Sequence, residues 1–246
     1  MIKKITLPNI IHSLLLVLRA IIFHIGIIIV VIFISSTSIL LFAAPFSWRY
    51  RYITCESIFI IWWAKVIHGI HYEVIGKENL PSTPSVVLCK HQSTWETLFL
   101  QKLLPYQSWI LKREILWIPF LGWSAFLLEP IAINRQDRSK TKYIIKEAIK
   151  RLQADRWMIV FPEGTRVAPN EKHRYSKGGA AISIASGRSI VPIAHNAGLY
   201  WPKNGFIKRP GTIKVVIGKP IEPGDKTAQA LTAIVEKWIE ETVSTL

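Results

Sequence analysis

From Ile10 to about Ala44 the chain is nearly all apolar, broken chiefly at Arg19, His24 and Ser35 to Ser38. No other feature limits the fold as much. The stretch from Ala20 to Ile34, continued through Ile39, Leu40, Leu41 and Phe42, exceeds the roughly 20 residues that a bilayer-crossing helix needs. A helix of a soluble domain keeps a polar face, and this run has none. A cleaved signal peptide fits poorly, because the apolar part is too long and no small-residue cleavage site follows it. The expectation is a membrane-anchoring segment over residues 1–69, either one spanning helix or a re-entrant hairpin bent near Ser35–Ser38. Lys3, Lys4 and Arg19 before the run balance Arg49, Arg51 and Lys65 after it, so charge does not choose a direction. In residues 46–69, Phe46, Trp48, Tyr50, Tyr52, Trp62 and Trp63 interleave with those cations. That is an interfacial anchor pattern; an aromatic core helix over Ile53–Ile67 reads the same way.

Charge narrows the partners. The net charge is +15 with Trp 10 and a hydrophobic share of 50%, which points to an anionic partner, either nucleic acid or an anionic membrane surface. No helix-turn-helix, zinc-finger or RNA-binding aromatic motif supports nucleic acid. Cys55 and Cys89 alone make neither a disulfide framework nor a metal site, and Cys89 reads as a small buried strand residue.

From residue 70 to 246 the pattern changes to a second unit of α/β type. Strands are expected at His71–Ile75, Ser85–Cys89, Gln107–Leu111, Pro130–Ile133, Trp157–Phe161, Ser189–Ala194 and Thr212–Ile217. Helices are expected from Thr94 to about Leu104, over Ser139–Gln153 with Ser139 as its cap, over Gly178–Ser186 and over Thr227–Val243, with two short ones in Ile115–Leu128. Ile144, Ile145, Ala148, Ile149 and Leu152 form one apolar helical face opposite Lys142, Lys146 and Lys150. Alternation of this kind predicts a mainly parallel sheet covered by helices on both faces.

The polar residues of such a sheet gather at the carboxyl ends of its strands, where ligands bind. One strand runs into Lys90-His91-Gln92-Ser93-Thr94-Trp95-Glu96. A carboxylate on one ring nitrogen of a histidine leaves the other free to take a proton, so His91 is a candidate base and Glu96 the group that orients it. A core histidine beside an ordinary first-turn acid is the plainer alternative. Three other strands end at Lys112–Arg113, Asn134–Arg135 and Glu163 to Arg166. Arginines suit phosphate through paired parallel hydrogen bonds, and Gly164 lets a backbone approach a ligand closely. No nucleophile elbow, phosphate-binding loop or His-Glu-x-x-His motif occurs, so direct attack by a substrate hydroxyl, with His91 as base, demands the fewest special residues.

In these motifs the chain resembles the glycerolipid acyltransferases typified by the lysophosphatidic acid acyltransferases of bacteria. His91-Gln92-Ser93-Thr94-Trp95-Glu96 matches their His-x4-Asp motif with Glu for Asp. Lys112 and the strand Ile131 to Arg135 match later motifs. Phe161-Pro162-Glu163-Gly164-Thr165-Arg166 is their third motif intact, and Ile190-Val191-Pro192-Ile193 corresponds to the fourth. The resemblance covers about residues 70–220.

It implies that His91 deprotonates the sn-2 hydroxyl of a lysophosphatidic acid, with Glu96 holding His91. The hydroxyl then attacks the thioester of acyl-CoA or acyl-carrier protein without an acyl-enzyme, giving phosphatidic acid. Lys112, Arg135 and Arg166 would hold the phosphate, Glu163, Gly164 and Thr165 would shape that site, and Val191, Pro192 and Ile193 would lie on the acyl side. It implies no cofactor and no metal, a bacterial inner membrane, and a catalytic domain on the cytoplasmic side, where acyl thioesters are found. The basic surface would meet anionic lipid or an acidic carrier. Another lysophospholipid or an ornithine lipid could replace the acceptor. A basic membrane-anchored binding module would explain the charge, but not the pairing of His91 with Glu96.

Overall fold

The structure is a computed structural model and describes residues 7–133 and 141–246. Two helices come first, α1 at Leu7–Ser38 and α2 at Phe46–His68. The strands are β1 (Ile70–Ile75), β2 (Val86–Cys89), β3 (Gln107–Lys112), β4 (Ile131–Ile133), β5 (Trp157–Val160), β6 (Ile190–His195) and β7 (Gly211–Ile217). Between and after them lie α3 (Trp95–Leu103), α4 (Leu121–Leu127), α5 (Thr141–Gln153), α6 (Gly178–Ser186), α7 (Ala197–Tyr200) and α8 (Ala228–Ser244). A 3-10 turn at Arg113–Trp117 precedes α4, so the apolar segment after β3 does form two short helical pieces.

The strands build one sheet in the order β1-β7-β6-β2-β5-β3-β4. Every pairing is parallel except β6 with β7, as the alternation of strands and helices predicts. The central strands are apolar throughout because both faces are covered. Alternate residues point to opposite faces. Val87, Cys89, Ile159, Val191 and Ile193 share a core with Phe23 of α1, Ile60 and Ala64 of α2, and Trp95 and Phe99 of α3. Val86, Leu88, Met158, Val160, Ile190 and Ala194 pack with Ala148 of α5, Ile182 of α6 and Leu231, Val235 and Ile239 of α8. Helix α6 lies tight on the sheet because it is made of small residues: a Cβ on Gly179 would stand 2.7 Å from Leu88 Cδ1.

The first two helices form a hairpin, but not with its bend at Ser35–Ser38. α1 runs straight through those residues, and the chain reverses in the 3-10 turn Ile39–Leu41 and the segment up to Pro45. Serines break a helix only when their hydroxyls draw the backbone away. Here Ser38 Oγ donates back to the Ser35 carbonyl at 2.7 Å, and Ser35 Oγ donates to Ser124 Oγ of α4 at 3.0 Å. Ser13–Leu41 is, among the described residues, the one helix long and apolar enough to cross a membrane. One stripe of it, through Ala20, Phe23, Ile34, Ser35 and Ser38, is buried against the rest of the protein, while Leu14, Leu18, Ile21, Ile25, Ile28, Ile29 and Phe33 are exposed.

The buried stripe is fastened by polar as well as apolar contacts. Phe23 meets the rings of His68 and Trp201 edge-on at 4.8 and 5.2 Å. Lys208 Nζ donates to His24 Nε2 at 3.2 Å and to the carbonyls of Gly205 and Phe206, each at 3.1 Å. Burial without a carboxylate lowers the Lys208 ammonium from the ordinary lysine range to about 8.

Candidate active site

Strand β2 delivers the chain to His91, and helix α3 carries it away. The ring Nδ1 of His91 donates to Glu96 Oε1 at 2.8 Å. The Glu96 carboxylate is 1% exposed and also accepts from the backbone amides of Gln92 at 3.0 Å and Ser93 at 2.9 Å. These amides lie in the turn between β2 and α3, so the acid is pinned from three directions. Five-residue spacing works because the chain turns once between strand and helix. With Nδ1 protonated, Nε2 is the acceptor, and among the described residues no group bonds it. The imidazole stacks on Phe161, with centroids 4.1 Å apart.

A groove of about 370 Å³ opens beside His91, lined by Ile110, Ile133, Ile144, Ile145, Phe161 and Ile182 with others. It lies between the sheet and helices α5 and α6, is mostly apolar, and reaches Gly164 and Ser176. The wall fits hydrocarbon, and the polar groups stand at the end next to the imidazole.

The loop after β5 is bound to the His91 loop at both strands' ends. Val167 N donates to the His91 carbonyl at 2.7 Å, and the His91 amide donates to Glu163 Oε2 at 2.7 Å. The other Glu163 oxygen faces Lys90 Nζ at 2.7 Å. The Glu163 carboxylate is thus committed within the protein and does not open onto a ligand. Burial raises Glu163, against the pull of Lys90. Gly164 has φ 68 and open space where a Cβ would stand; its backbone, rather than crowding, calls for glycine. Arg166 Nη1 donates to Thr94 Oγ1 at 2.9 Å and to the Lys203 carbonyl at 3.2 Å, and Lys203 Nζ returns a bond to the Arg166 carbonyl at 2.7 Å.

The remaining expected site residues are scattered. Lys112 ends β3, half exposed and 3.3 Å from Glu114, and it does not line the groove. Arg135 and the proposed helix cap Ser139 lie outside the described residues. Thr165 sits between Gly164 and Arg166, partly buried. Val191, Pro192 and Ile193 are fully buried in β6; Val191 and Ile193 face the layer of α1, α2 and α3, across the sheet from the groove. Among the described residues no cluster of three metal-ligating side chains occurs.

Three residues near His91 escaped the sequence reading. Lys203 partners Arg166. Lys90 is buried immediately before the base. His195 ends β6 with both nitrogens used: Nε2 donates to the Lys90 carbonyl at 2.8 Å, and Nδ1 accepts from Ala197 N at 3.2 Å. Burial lowers His195 below the ordinary histidine range, so it is a neutral strut while His91 keeps a free nitrogen. Position marked only Lys90 and His195, at the ends of β2 and β6; Lys203 lies in the loop between α7 and β7.

Comparison with known proteins agrees with this architecture. The family model described as Acyltransferase matches residues 71–196. The chain is 44% identical to the 1-acyl-sn-glycerol-3-phosphate acyltransferase of Pseudomonas aeruginosa over 207 residues, covering 81% of this chain and 80% of that one. It is 28% identical to the yeast enzyme of the same name, over 80% of this chain and 66% of the relative. The crystal structure of the 1-acyl-sn-glycerophosphate (LPA) acyltransferase of Thermotoga maritima shares the fold, with a TM-score of 0.74 at 24% identity and 96% coverage of both chains. A base-like histidine at a strand end, an apolar groove beside it, and these matches lead to one statement: the chain belongs to the acyltransferase family and is an O-acyltransferase.

Proposed function

We propose that the chain transfers a fatty acyl group from an acyl thioester, on coenzyme A or acyl-carrier protein, to the sn-2 hydroxyl of 1-acyl-glycerol-3-phosphate, giving phosphatidic acid. The observation that carries the reading is the bond from His91 Nδ1 to Glu96, which leaves Nε2 to accept a proton beside the apolar groove. The acceptor hydroxyl gives its proton to Nε2 as its oxygen attacks the thioester carbonyl. The carbon–sulfur bond breaks, and the thiolate takes the proton back from the imidazolium. Glu96 stabilises the charged ring between the two steps. Arg166 and Lys203, at the mouth of the His91 loop, suit the phosphate. The names of the relatives support the acceptor.

The membrane reading rests on α1. Its open stripe of Leu and Ile needs an apolar surrounding, and its other stripe is packed against the protein from Ala20 to Ser38. We therefore place the α1–α2 hairpin against lipid; the use of acyl thioesters, which are found in the cytosol, puts the catalytic unit on the cytoplasmic side.

The test is acyl transfer to lysophosphatidic acid from both donors, wild type beside His91→Ala. Wild type should transfer, and the variant should lose roughly 10²- to 10⁴-fold in kcat, the usual worth of a general base. A variant within a few-fold of wild type would remove His91 from this role. A wild type that ignores lysophosphatidic acid but acylates another lysolipid would change the acceptor alone.

A further inference from the structure

Lys90 is 1% exposed and buried within a protein that could have placed an apolar residue there. Taking an ammonium out of water costs several kcal/mol unless it is closely paired, and apolar replacements of buried ion pairs are often no less stable. A buried cation one residue before the base therefore calls for a reason other than stability.

Its contacts supply one. Lys90 Nζ lies 2.7 Å from Glu163 Oε1 and 2.7 Å from Glu240 Oε1, which α8 brings in. Tyr175 donates its hydroxyl to the same Glu240 oxygen at 2.9 Å. Glu163 in turn accepts the His91 amide at 2.7 Å, and the Lys90 carbonyl is held by His195. A chain of contacts thus runs from the C-terminal helix to the backbone of the base, with hydrogen bonds at Glu240 and at the His91 amide joined by the ion pair of Lys90 with Glu163, whose Oε1 accepts no hydrogen bond. Burial opposes the charge on Lys90, but the bonds to Glu163 and Glu240 outweigh it and hold the ammonium above its ordinary range.

We propose that Lys90, Glu240 and Tyr175 are positioning residues for the acyl transfer: they fix Glu163, and through it the backbone of His91. None of them touches the groove beside the imidazole. The inference rests on the reading of His91 as the base. A second cavity, about 360 Å³, has Lys90, Gln92, Asn196 and Glu240 in its wall. This cavity reaches the network from the side of α8 and so offers a way to test it.

Lys90→Met would strand the buried Glu163 carboxylate and the partly buried Glu240, and confound folding with catalysis. Glu240 lies at the outer edge, its side chain 15% exposed, so Glu240→Ala in the full chain is the decisive variant. It should lose about tenfold in kcat with the KM for lysophosphatidic acid unchanged within about twofold, because ground-state binding is untouched. Acetate added to the variant should restore much of the loss by entering the cavity and pairing with Lys90, and chloride at equal ionic strength should not. An unchanged kcat, a loss confined to KM, or a loss that acetate leaves as it was overturns the network. A readout independent of the acceptor is the amide proton signal of His91, which its bond to Glu163 should hold downfield. Glu240→Ala should move that signal upfield and acetate return it, and a signal that stays put overturns the network even if wild type proves to use another lysolipid.

Discussion

The two faces of the sheet are filled in different ways. On the face covered by α1, α2 and α3, large rings close every gap: Phe23, Trp95, Phe99, Trp157 and Trp201 are all buried there, and Trp95 lies on Phe99 at 4.6 Å. On the face covered by α5, α6 and α8 the residues are mostly aliphatic, with Ala148, Ala180 and Ala194 among them and Tyr175, of the described residues, the one buried ring, and the groove beside His91 opens at its edge. The side covered by α1 and α2 is filled with rings, and the space suited to a hydrocarbon chain lies across the sheet from it. The first face holds α1 and α2 on the molecule; the second leaves a groove beside His91.

Truncating a ring on the solid face should therefore cost stability and spare catalysis. Phe99→Ala should lower unfolding stability by about 3–5 kcal/mol, read by denaturant titration, with kcat per folded molecule within about twofold of wild type. A large fall in kcat at full folding would mean that this face, too, takes part in turnover. Next in size is a pH effect at the anchor. The Lys208 ammonium titrates near 8 when folded but near 10.4 when unfolded. The unfolded state thus binds more protons between those values, and stability should rise with pH through that window, by at most about 3 kcal/mol. Lys208→Met should flatten the rise, and a slope unchanged in that variant would assign it elsewhere. The smallest effect belongs to the open face. Ile144→Trp would fill part of the groove, and it should lower kcat/KM for long acyl chains by about tenfold, roughly 1.4 kcal/mol, and less for short ones, with the melting temperature nearly constant. Equal losses at all chain lengths would show that hydrocarbon does not lie there.

This division was only partly legible in the chain. The runs Val86–Cys89, Trp157–Val160 and Ile190–His195 announce strands buried on two sides, and the spacing of His91 and Glu96 announces a hydrogen bond. What stayed hidden depends on residues that meet only after folding. Lys90 reaches Glu240 across 150 positions, and Arg166 reaches the Lys203 carbonyl across 37, distances at which no local pattern exists. The direction of β7 was equally unreadable, since an apolar strand looks the same from either end; the segment between β6 and β7, with only the short helix α7, sets it antiparallel. Lys112 followed an apolar strand as Arg166 did, yet it turned to Glu114 on the surface. A strand's end fixes where a side chain begins, not where a long flexible one goes.

The pairing of β1 with β7, Ile70 opposite Gly211, and the bond from Lys208 to His24 across 184 positions bear on the order in which the molecule is made. The hairpin leaves the ribosome before the rest of the fold, and the surface that receives it is completed only when residues beyond 200 have emerged. Through that interval the most apolar part of the chain lacks its contacts with Trp201 and Lys208. A nascent chain that meets the bilayer early shields that helix while it waits, and one released into water would carry it as an aggregation site until synthesis ends.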